Sequence, residues 1–379
     1  MLEAVMDTLL FPWRVEAPAV EAGDEILLVN GRWDPSAPTT LGGRRVWDQP
    51  FAPWAEALHA AGERVEPGAG ASAARFAHAL VLPTPQKEAA FAEIARALLA
   101  VKPGGTVTIA APNKLGAERQ EKHLRSLAGE AQVWSRRHCR VAQAVVGPSL
   151  DLAAAQASAT LDAPRKVVGE LLSRPGLFSW DEVDRGSALL LDAVPRTLAG
   201  RVADLGAGWG WLSAGLLSRC PGITELHAVE ADARGVELAA ANLGIAGGAG
   251  EVASGRARVL WADATDARRA TPMDAVVTNP PFHIGGLAST DAGLAFLRGT
   301  LGWLRPEGQL FLVANVHLPY ERLLKELYGD AQILVERHGY KVLRAVKPAA
   351  APARADARGA AARRRRGDDP TTWRKHRDR

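Results

Sequence analysis

The sequence predicts an α/β protein made of two tandem, doubly wound, Rossmann-like domains. Two observations carry that reading. One phrase, a helix followed by a Pro/Gly turn and an apolar strand, occurs once in each half of the chain. A glycine-rich turn between a strand and a helix occurs only in the second half.

In the first half, residues 25–30 (EILLVN) read as a buried strand and residues 79–82 as another. A helix is expected across 86–101, where apolar positions recur at three and four. Lys102-Pro103-Gly104-Gly105 then turns into a strand over 106–111. In the second half a helix across 294–304 meets Arg305-Pro306-Glu307-Gly308 and a strand over 309–314. Helix, turn and strand in this order form the αβ half of a doubly wound sheet. The recurrence predicts a duplicated domain. After Val29 the first copy reads Asn30-Gly31-Arg32-Trp33-Asp34, with no glycine loop, so it is expected to be degenerate. The predicted boundaries are 1–160 for the degenerate copy, 161–348 for the catalytic copy and 349–379 for a tail. The alanine-rich stretch 153–163 reads as a linker or connecting helix. The tail, with its run Arg363-Arg364-Arg365-Arg366, has almost no core-forming residues and is expected to be disordered.

Composition sets outer bounds. A chain of 379 residues is long enough for two cores. Hydrophobic content of 47% and charged content of 23% are those of an ordinary globular protein. No apolar run approaches the ~20 residues of a membrane span, and the first ten residues, with Glu3 and Asp7, lack the basic start of a signal peptide. Two cysteines, Cys139 and Cys220, build neither a disulfide framework nor a metal-ligand spacing. A cytoplasmic protein with no membrane partner and no metal is expected. The net charge of +4 hides an asymmetry, because the tail from Ala351 holds ten Lys/Arg and four Asp/Glu and leaves the rest of the chain at −2. Attraction to phosphate must therefore come from local patches and the tail.

The chemistry is concentrated in the second half. A short strand, 200–205, runs into Gly206-Ala207-Gly208-Trp209-Gly210, and a helix follows over 211–218. Glycines allow positive φ and bring the backbone close to a ligand, while the helix start offers free N–H groups and a positive dipole end. Asp204, at the strand end, would repel the pyrophosphate of a dinucleotide. It suits an amino-acid head group such as the methionine part of S-adenosylmethionine (SAM). A second strand, 226–229, ends in Glu230, where an acid accepts from both ribose hydroxyls. Asp263, after a strand at 259–262, can accept from an adenine amino group. Together the turn and three acids predict SAM as the cofactor.

Residues 274–278 (DAVVT) read as a buried central strand ending in Asn279-Pro280-Pro281-Phe282. Two prolines cannot continue a sheet and fix φ near −65°, and the residue before a proline is restricted too. An exocyclic aromatic NH₂ is a poor nucleophile because its lone pair is conjugated into the ring. The Asn279 side-chain oxygen and the Pro280 carbonyl can accept its two hydrogens and aim the lone pair at a sulfonium methyl. Phe282 offers a ring against which a base stacks. Positioning and electrostatics would supply the rate.

These residues resemble a known family, the bacterial 16S ribosomal RNA guanine-N2 methyltransferases. The resemblance rests on Phe178-Ser179-Trp180-Asp181, Asp184-Arg185-Gly186-Ser187, Leu189-Leu190-Leu191, the glycine turn, Asn279-Pro280-Pro281-Phe282-His283, Val313-Ala314-Asn315, Leu318-Pro319-Tyr320 and the hairpin over 333–346. It covers roughly 176–347, and extends more weakly to the first half through Leu82-Pro83, Lys87, Phe91 and 113–121. It implies two SAM-methyltransferase domains with seven-stranded mixed sheets and helices on both faces, the first unable to bind SAM and serving RNA recognition or structural support. Asp204, Gly206, Gly208 and Gly210 would hold the methionine part, Glu230 the ribose, and Asp263 would sit near adenine. Asp184, Gly186 and Ser187 would border the methionine end, and Asn279, Pro280, Pro281 and Phe282 would carry catalysis. The implied partner is ribosomal RNA or the 30S subunit, met by a monomer. Trp209 and Trp211 put bulk beside the cofactor turn, and the arginine-rich tail departs from the family. The tetrapeptide alone leaves other amines open: guanine N2 in 23S rRNA, adenine N6, or the N5 of a protein glutamine. A non-catalytic RNA-binding protein that keeps SAM is the remaining alternative. Two basic clusters, Arg136/Arg137/His138/Arg140 and Lys114/Arg119/Lys122/Arg125, are candidates for RNA phosphate or for a solvated surface.

Overall fold

The computed structural model describes residues 2–71, 74–244, 255–266, 268, 270–280, 283–284, 287–288 and 290–349. The arginine-rich tail expected beyond 348 falls almost wholly outside the described residues. Eighteen strands are described: β1 Glu25–Val29, β2 Arg44–Asp48, β3 Arg64–Val65, β4 Phe76–Val81, β5 Val101–Pro112, β6 Gln132–Arg136, β7 Cys139–Val145, β8 Arg165–Val168, β9 Leu171–Ser173, β10 Gly200–Leu205, β11 Ile223–Glu230, β12 Ala257–Trp261, β13 Met273–Thr278, β14 His283–Ile284, β15 Leu287–Ala288, β16 Leu304–Asn315, β17 Ala331–Arg337 and β18 Tyr340–Val346.

They form two seven-stranded sheets of the same order, β3-β2-β1-β4-β5-β7-β6 and β12-β11-β10-β13-β16-β18-β17. In each, the first five strands in that order pair in parallel and the last two antiparallel. Two mixed sheets of one topology make the duplication a structural fact. The central strands read as unbroken apolar runs because helices cover both faces. Leu27, Val81 and Val107 face one core cluster, and Leu28, Leu80 and Ala110 face the other. In the second domain Val202, Val277 and Phe311 face one side, and Ala203, Val276 and Leu310 the other.

The repeated helix-turn-strand phrase lies at matching places. Its helices are Lys87–Ala100 and Thr290–Trp303. The strands begin earlier than the sequence suggests, because the Pro/Gly turn is built into each strand as an irregularity. The register shifts between Phe76 and His78 against β5, and between Met273 and Ala275 against β16. Gly104 and Glu307 hold equivalent positive φ values, +88° and +65°. A Cβ on Gly105 would lie 1.9 Å from the Ala77 carbonyl oxygen, so no side chain fits there.

The alanine-rich stretch is a helix, Leu152–Ala159, whose Ala155 enters the first core. Just beyond it, Asp162 accepts from Arg96 of the first domain and Arg174 of the second, both at 2.7 Å. A second junction joins the loops at the carboxyl ends of β2 and β11. Ala52 N–H donates to the Ala231 carbonyl at 2.7 Å, and Ala233 N–H to the Pro50 carbonyl at 2.8 Å. Trp261 Nε1 donates to the Pro50 carbonyl at 2.9 Å. Arg234 lies part-buried between Asp232 (2.6 Å) and Glu93 of the first domain (3.5 Å). Burial alone would lower the Arg234 pKa, but these carboxylates raise it.

Candidate active site

The order of the second sheet reverses between β10 and β13, and ligands of open α/β sheets bind outside the carboxyl ends of the strands at that crevice. The two strand ends are fixed to each other, since Thr278 Oγ1 donates to the Leu205 carbonyl at 2.6 Å. Each strand then runs directly into one of the two motifs found in the sequence.

After Leu205 the chain makes its glycine turn. Gly206, Gly208 and Gly210 all have positive φ, +78°, +56° and +84°. Gly206 and Ala207 N–H groups donate to the Val229 carbonyl at 2.8 and 3.0 Å, tying the turn to β11. A Cβ on Gly210 would press on Ala239 at 3.0 Å, whereas at Gly208 it would meet nothing within 4 Å. The backbone at Gly208 is thus open, and the helix Trp211–Arg219 begins just behind it. Trp209 leaves this space clear. It is 5% exposed and packs with Leu177 and Leu238.

Three acids are carried at the ends of β10, β11 and β12. Glu230 Oε2 accepts from Gly208 N–H at 2.7 Å, and its Oε1 accepts from Asp232 N–H at 2.8 Å. Burial raises the pKa of this carboxyl. Asp263 lies just beyond β12, where Ala262 N–H donates to the Glu230 carbonyl. Its Oδ1 accepts from Thr265 N–H and Oγ1 at 2.8 and 2.7 Å. Asp204 is fully enclosed, with Oδ2 accepting from Ser213 Oγ at 2.6 Å. Burial, reinforced by the charge of Glu230, pushes its pKa up to about 7. Its Oδ1 has no hydrogen-bond partner. An unpartnered buried carboxylate oxygen and two further acids suit a ligand with an ammonium and hydroxyls, and reject a pyrophosphate.

After Thr278 comes the tetrapeptide. Pro281 and Phe282 lie outside the described residues, and Pro280 is buried. Asn279 is held at both hydrogens of its amide. Nδ2 donates to Asp184 Oδ2 and to Ser187 Oγ, each at 2.9 Å. A carboxylate only accepts, so these contacts settle which end of the amide is which and leave Oδ1 as its accepting end. The Asn279 backbone carbonyl lies 3.8 Å from where a Cβ on Gly206 would stand, so the two motifs adjoin. Asp184 Oδ2 also accepts from Ser187 N–H at 2.7 Å and caps the helix Arg185–Ala193. Gly186 is required by close approach, because a Cβ there would come within 3.0 Å of the Tyr340 ring.

The first domain differs at the equivalent place. Asp48 ends β2 as Glu230 ends β11. Its two oxygens accept from Gly68 and Gly70 N–H at 2.7 and 2.9 Å, from a loop that folds over the strand end. Ala69 of that loop enters the core. At the end of β1, a Cβ on Gly31 would come 2.8 Å from the Trp47 ring. Backbone and an indole fill what the glycine turn leaves open in the second copy.

The basic clusters differ. In the first, Arg137 pairs with Asp7, Arg140 with Glu121, and Arg136 lies over the Phe11 ring; in the second, Lys122 pairs with Glu118 and Arg125 with Glu121. Arg119 and Lys122, with Lys87 and His123, line an open cavity of about 720 Å³ on the first domain. Within it Phe91 and His123 stack with ring centres 3.8 Å apart.

Comparison with known proteins agrees with this geometry. The family model described as methyltransferase small domain matches residues 169–344. The ribosomal RNA small subunit methyltransferase C of Stutzerimonas stutzeri is 35% identical over 256 residues, covering 66% of this chain and 73% of that protein. The protein of the same name from Erwinia tasmaniensis is 31% identical over 314 residues, 81% of this chain and 87% of the relative. A solved structure, the T. thermophilus 16S rRNA N2 G1207 methyltransferase (RsmC) in complex with AdoMet and guanosine, is similar with a TM-score of 0.71 and 28% identity, over 90% of this chain and 91% of that one. With the duplicated sheet, the glycine turn and the Asn279-Pro280 strand end in place, the chain belongs to the ribosomal RNA small subunit methyltransferase C family.

Proposed function

We propose that this chain transfers a methyl group from SAM to the exocyclic N2 of a guanine in 16S ribosomal RNA. The observation that carries this reading is the Asn279 amide, held by its nitrogen against Asp184 and Ser187 beside the glycine turn. The T. thermophilus relative, bound to AdoMet and guanosine and named for N2 of G1207, points to the same amine.

In this reading SAM, when bound, supplies an electrophilic methyl on a sulfonium. Gly206, Gly208 and Gly210 would let the backbone approach its methionine part, with the Asp204 carboxyl enclosed behind the turn where its charge would favour the ammonium. Glu230 accepts from the ribose hydroxyls and Asp263 from the adenine amine. Asn279 Oδ1 and the Pro280 carbonyl accept the two hydrogens of the guanine amine and aim its lone pair. Pro281 and Phe282 lie outside the described residues; by their motif, Phe282 would offer a ring for the base, and positioning and electrostatics would supply the rate. The amine is shielded in a duplex, so the target guanine must be exposed or turned out of the stack. Lys87, Arg119 and Lys122 are suited to RNA phosphate. No helix of the described residues is long and apolar enough to cross a membrane.

The deciding experiment offers labelled SAM together with 30S subunits, 50S subunits or naked rRNA, and identifies the methylated nucleoside. N2-methylguanosine in 16S rRNA is expected. Label in 23S rRNA, or N6-methyladenosine, contradicts the assignment.

A further inference from the structure

We infer that Asp184 and Ser187 are positioning residues for methyl transfer, acting on the substrate only through the Asn279 amide. The inference rests on the reading of Asn279 as the amine's acceptor. Neither residue belongs to the tetrapeptide, and Asp184 precedes Asn279 by 95 positions.

An asparagine amide offers an oxygen at one end and an NH₂ at the other, and a half-turn about its last torsion exchanges them. If the NH₂ faced a substrate amine, two donors would oppose each other. Asp184 and Ser187 prevent this by taking both Nδ2 hydrogens at 2.9 Å. A turned amide would set Oδ1 against the Asp184 carboxylate, two acceptors with no proton between them. The contact does more than select an orientation. Positive charge builds on the amine nitrogen as it forms its bond to the methyl, and the nitrogen then loses a proton to solvent. A carboxylate one amide away polarises Oδ1 and opposes that charge, in a part-buried setting where such contacts strengthen. The support is rigid. Asp184 Oδ2 is also fixed by Ser187 N–H at 2.7 Å, and Gly186 between them packs against the Tyr340 ring of β18. The helix start and the sheet thereby set the aim of Asn279.

The test separates this role from a merely structural one. Asp184→Ser keeps a capping hydroxyl for the helix but removes the carboxylate. Ser187→Ala keeps the N–H that Asp184 caps and removes only Oγ. In the full chain, with SAM and RNA, kcat should fall about 10- to 100-fold for Asp184→Ser and about 3- to 10-fold for Ser187→Ala. KM for RNA and melting temperature should stay within about twofold or a few degrees of the parent. Placed in an Asn279→Ala background, either change should cost no further activity, since its effect passes through the missing amide. Losses that multiply with Asn279→Ala overturn the inference, as does a kcat within twofold of the parent for both single variants. If Asp184→Ser does not fold, the Ser187→Ala cycle decides between the same two outcomes. A chain whose Asn279→Ala form methylates at the parental rate refutes the underlying reading as well, so the two failures are distinguishable.

Discussion

Glu230 Oε2 accepts a hydrogen bond from the Gly208 amide at 2.7 Å, so the acid that ends β11 sets the shape of the turn that ends β10. In the proposed reading the same carboxylate receives the ribose hydroxyls, and one residue both shapes the cofactor site and contacts the cofactor. Glu230→Gln keeps the size and one oxygen but loses the charge. A hydrogen bond to a charged group contributes about 1.5–3 kcal/mol. SAM affinity, read by titration calorimetry, should therefore fall about 10- to 100-fold. An unchanged affinity removes Glu230 from the site.

Asp48 offers the counterpart in the first domain, with both oxygens taken by Gly68 and Gly70. The chain should bind SAM with a stoichiometry of one. Two sites in the same titration contradict the reading of the first copy as closed.

Asp204 makes stability depend on pH. Its folded pKa is about 7, well above the ordinary carboxylate value near 4. Between those values the folded state binds the extra proton, so the stabilising contribution is full below about pH 4 and is lost as pH rises through 7. Asp204→Asn has no such proton. The melting temperature of the variant minus that of the parent, both without SAM, should rise steadily from pH 5 to pH 8. A difference that stays flat, or that falls, contradicts the placement of Asp204.

Arg234 tests the junction between domains. It is part-buried between Asp232 and Glu93, and removing it takes away the ion-pair partner of the enclosed Glu93, which keeps its bond from Thr84 N–H. Burial already raises the Glu93 pKa. Breaking a buried pair costs about 3–5 kcal/mol. Arg234→Met should lower the denaturation midpoint accordingly and weaken SAM binding, because Arg234 adjoins Asp232, whose N–H Glu230 receives. A variant as stable as the parent would show the junction to be incidental.

What could be read from the chain follows how the chemistry is written. The glycine turn and the Asn279-Pro280 strand end each follow directly on a strand, so the place of both was legible. The duplication was legible because Gly104 and Glu307 demand the same turn. The Asp184–Asn279 contact was not, since it joins residues far apart. Asp184 and Ser187 have the spacing of a helix cap, and nothing local shows that a capping carboxylate has a second partner. The enclosure of Asp204 by Ser213 was equally hidden, because it depends on how a helix lies on its sheet. The loop that closes Asp48 could not be inferred either, as Gly68 and Gly70 lie about twenty residues away with no motif to mark them. The partners of the first basic cluster, Asp7 and Glu121, are remote in sequence and could not be read from it.

The central claim is that Asn279 grips the amine, and one measurement tests it most directly. Single-turnover methylation of 16S rRNA by Asn279→Ala should be slower than the parent by about two to three orders of magnitude, with SAM affinity unchanged within about threefold. Transfer at a rate near the parental one, with SAM bound as before, would contradict it.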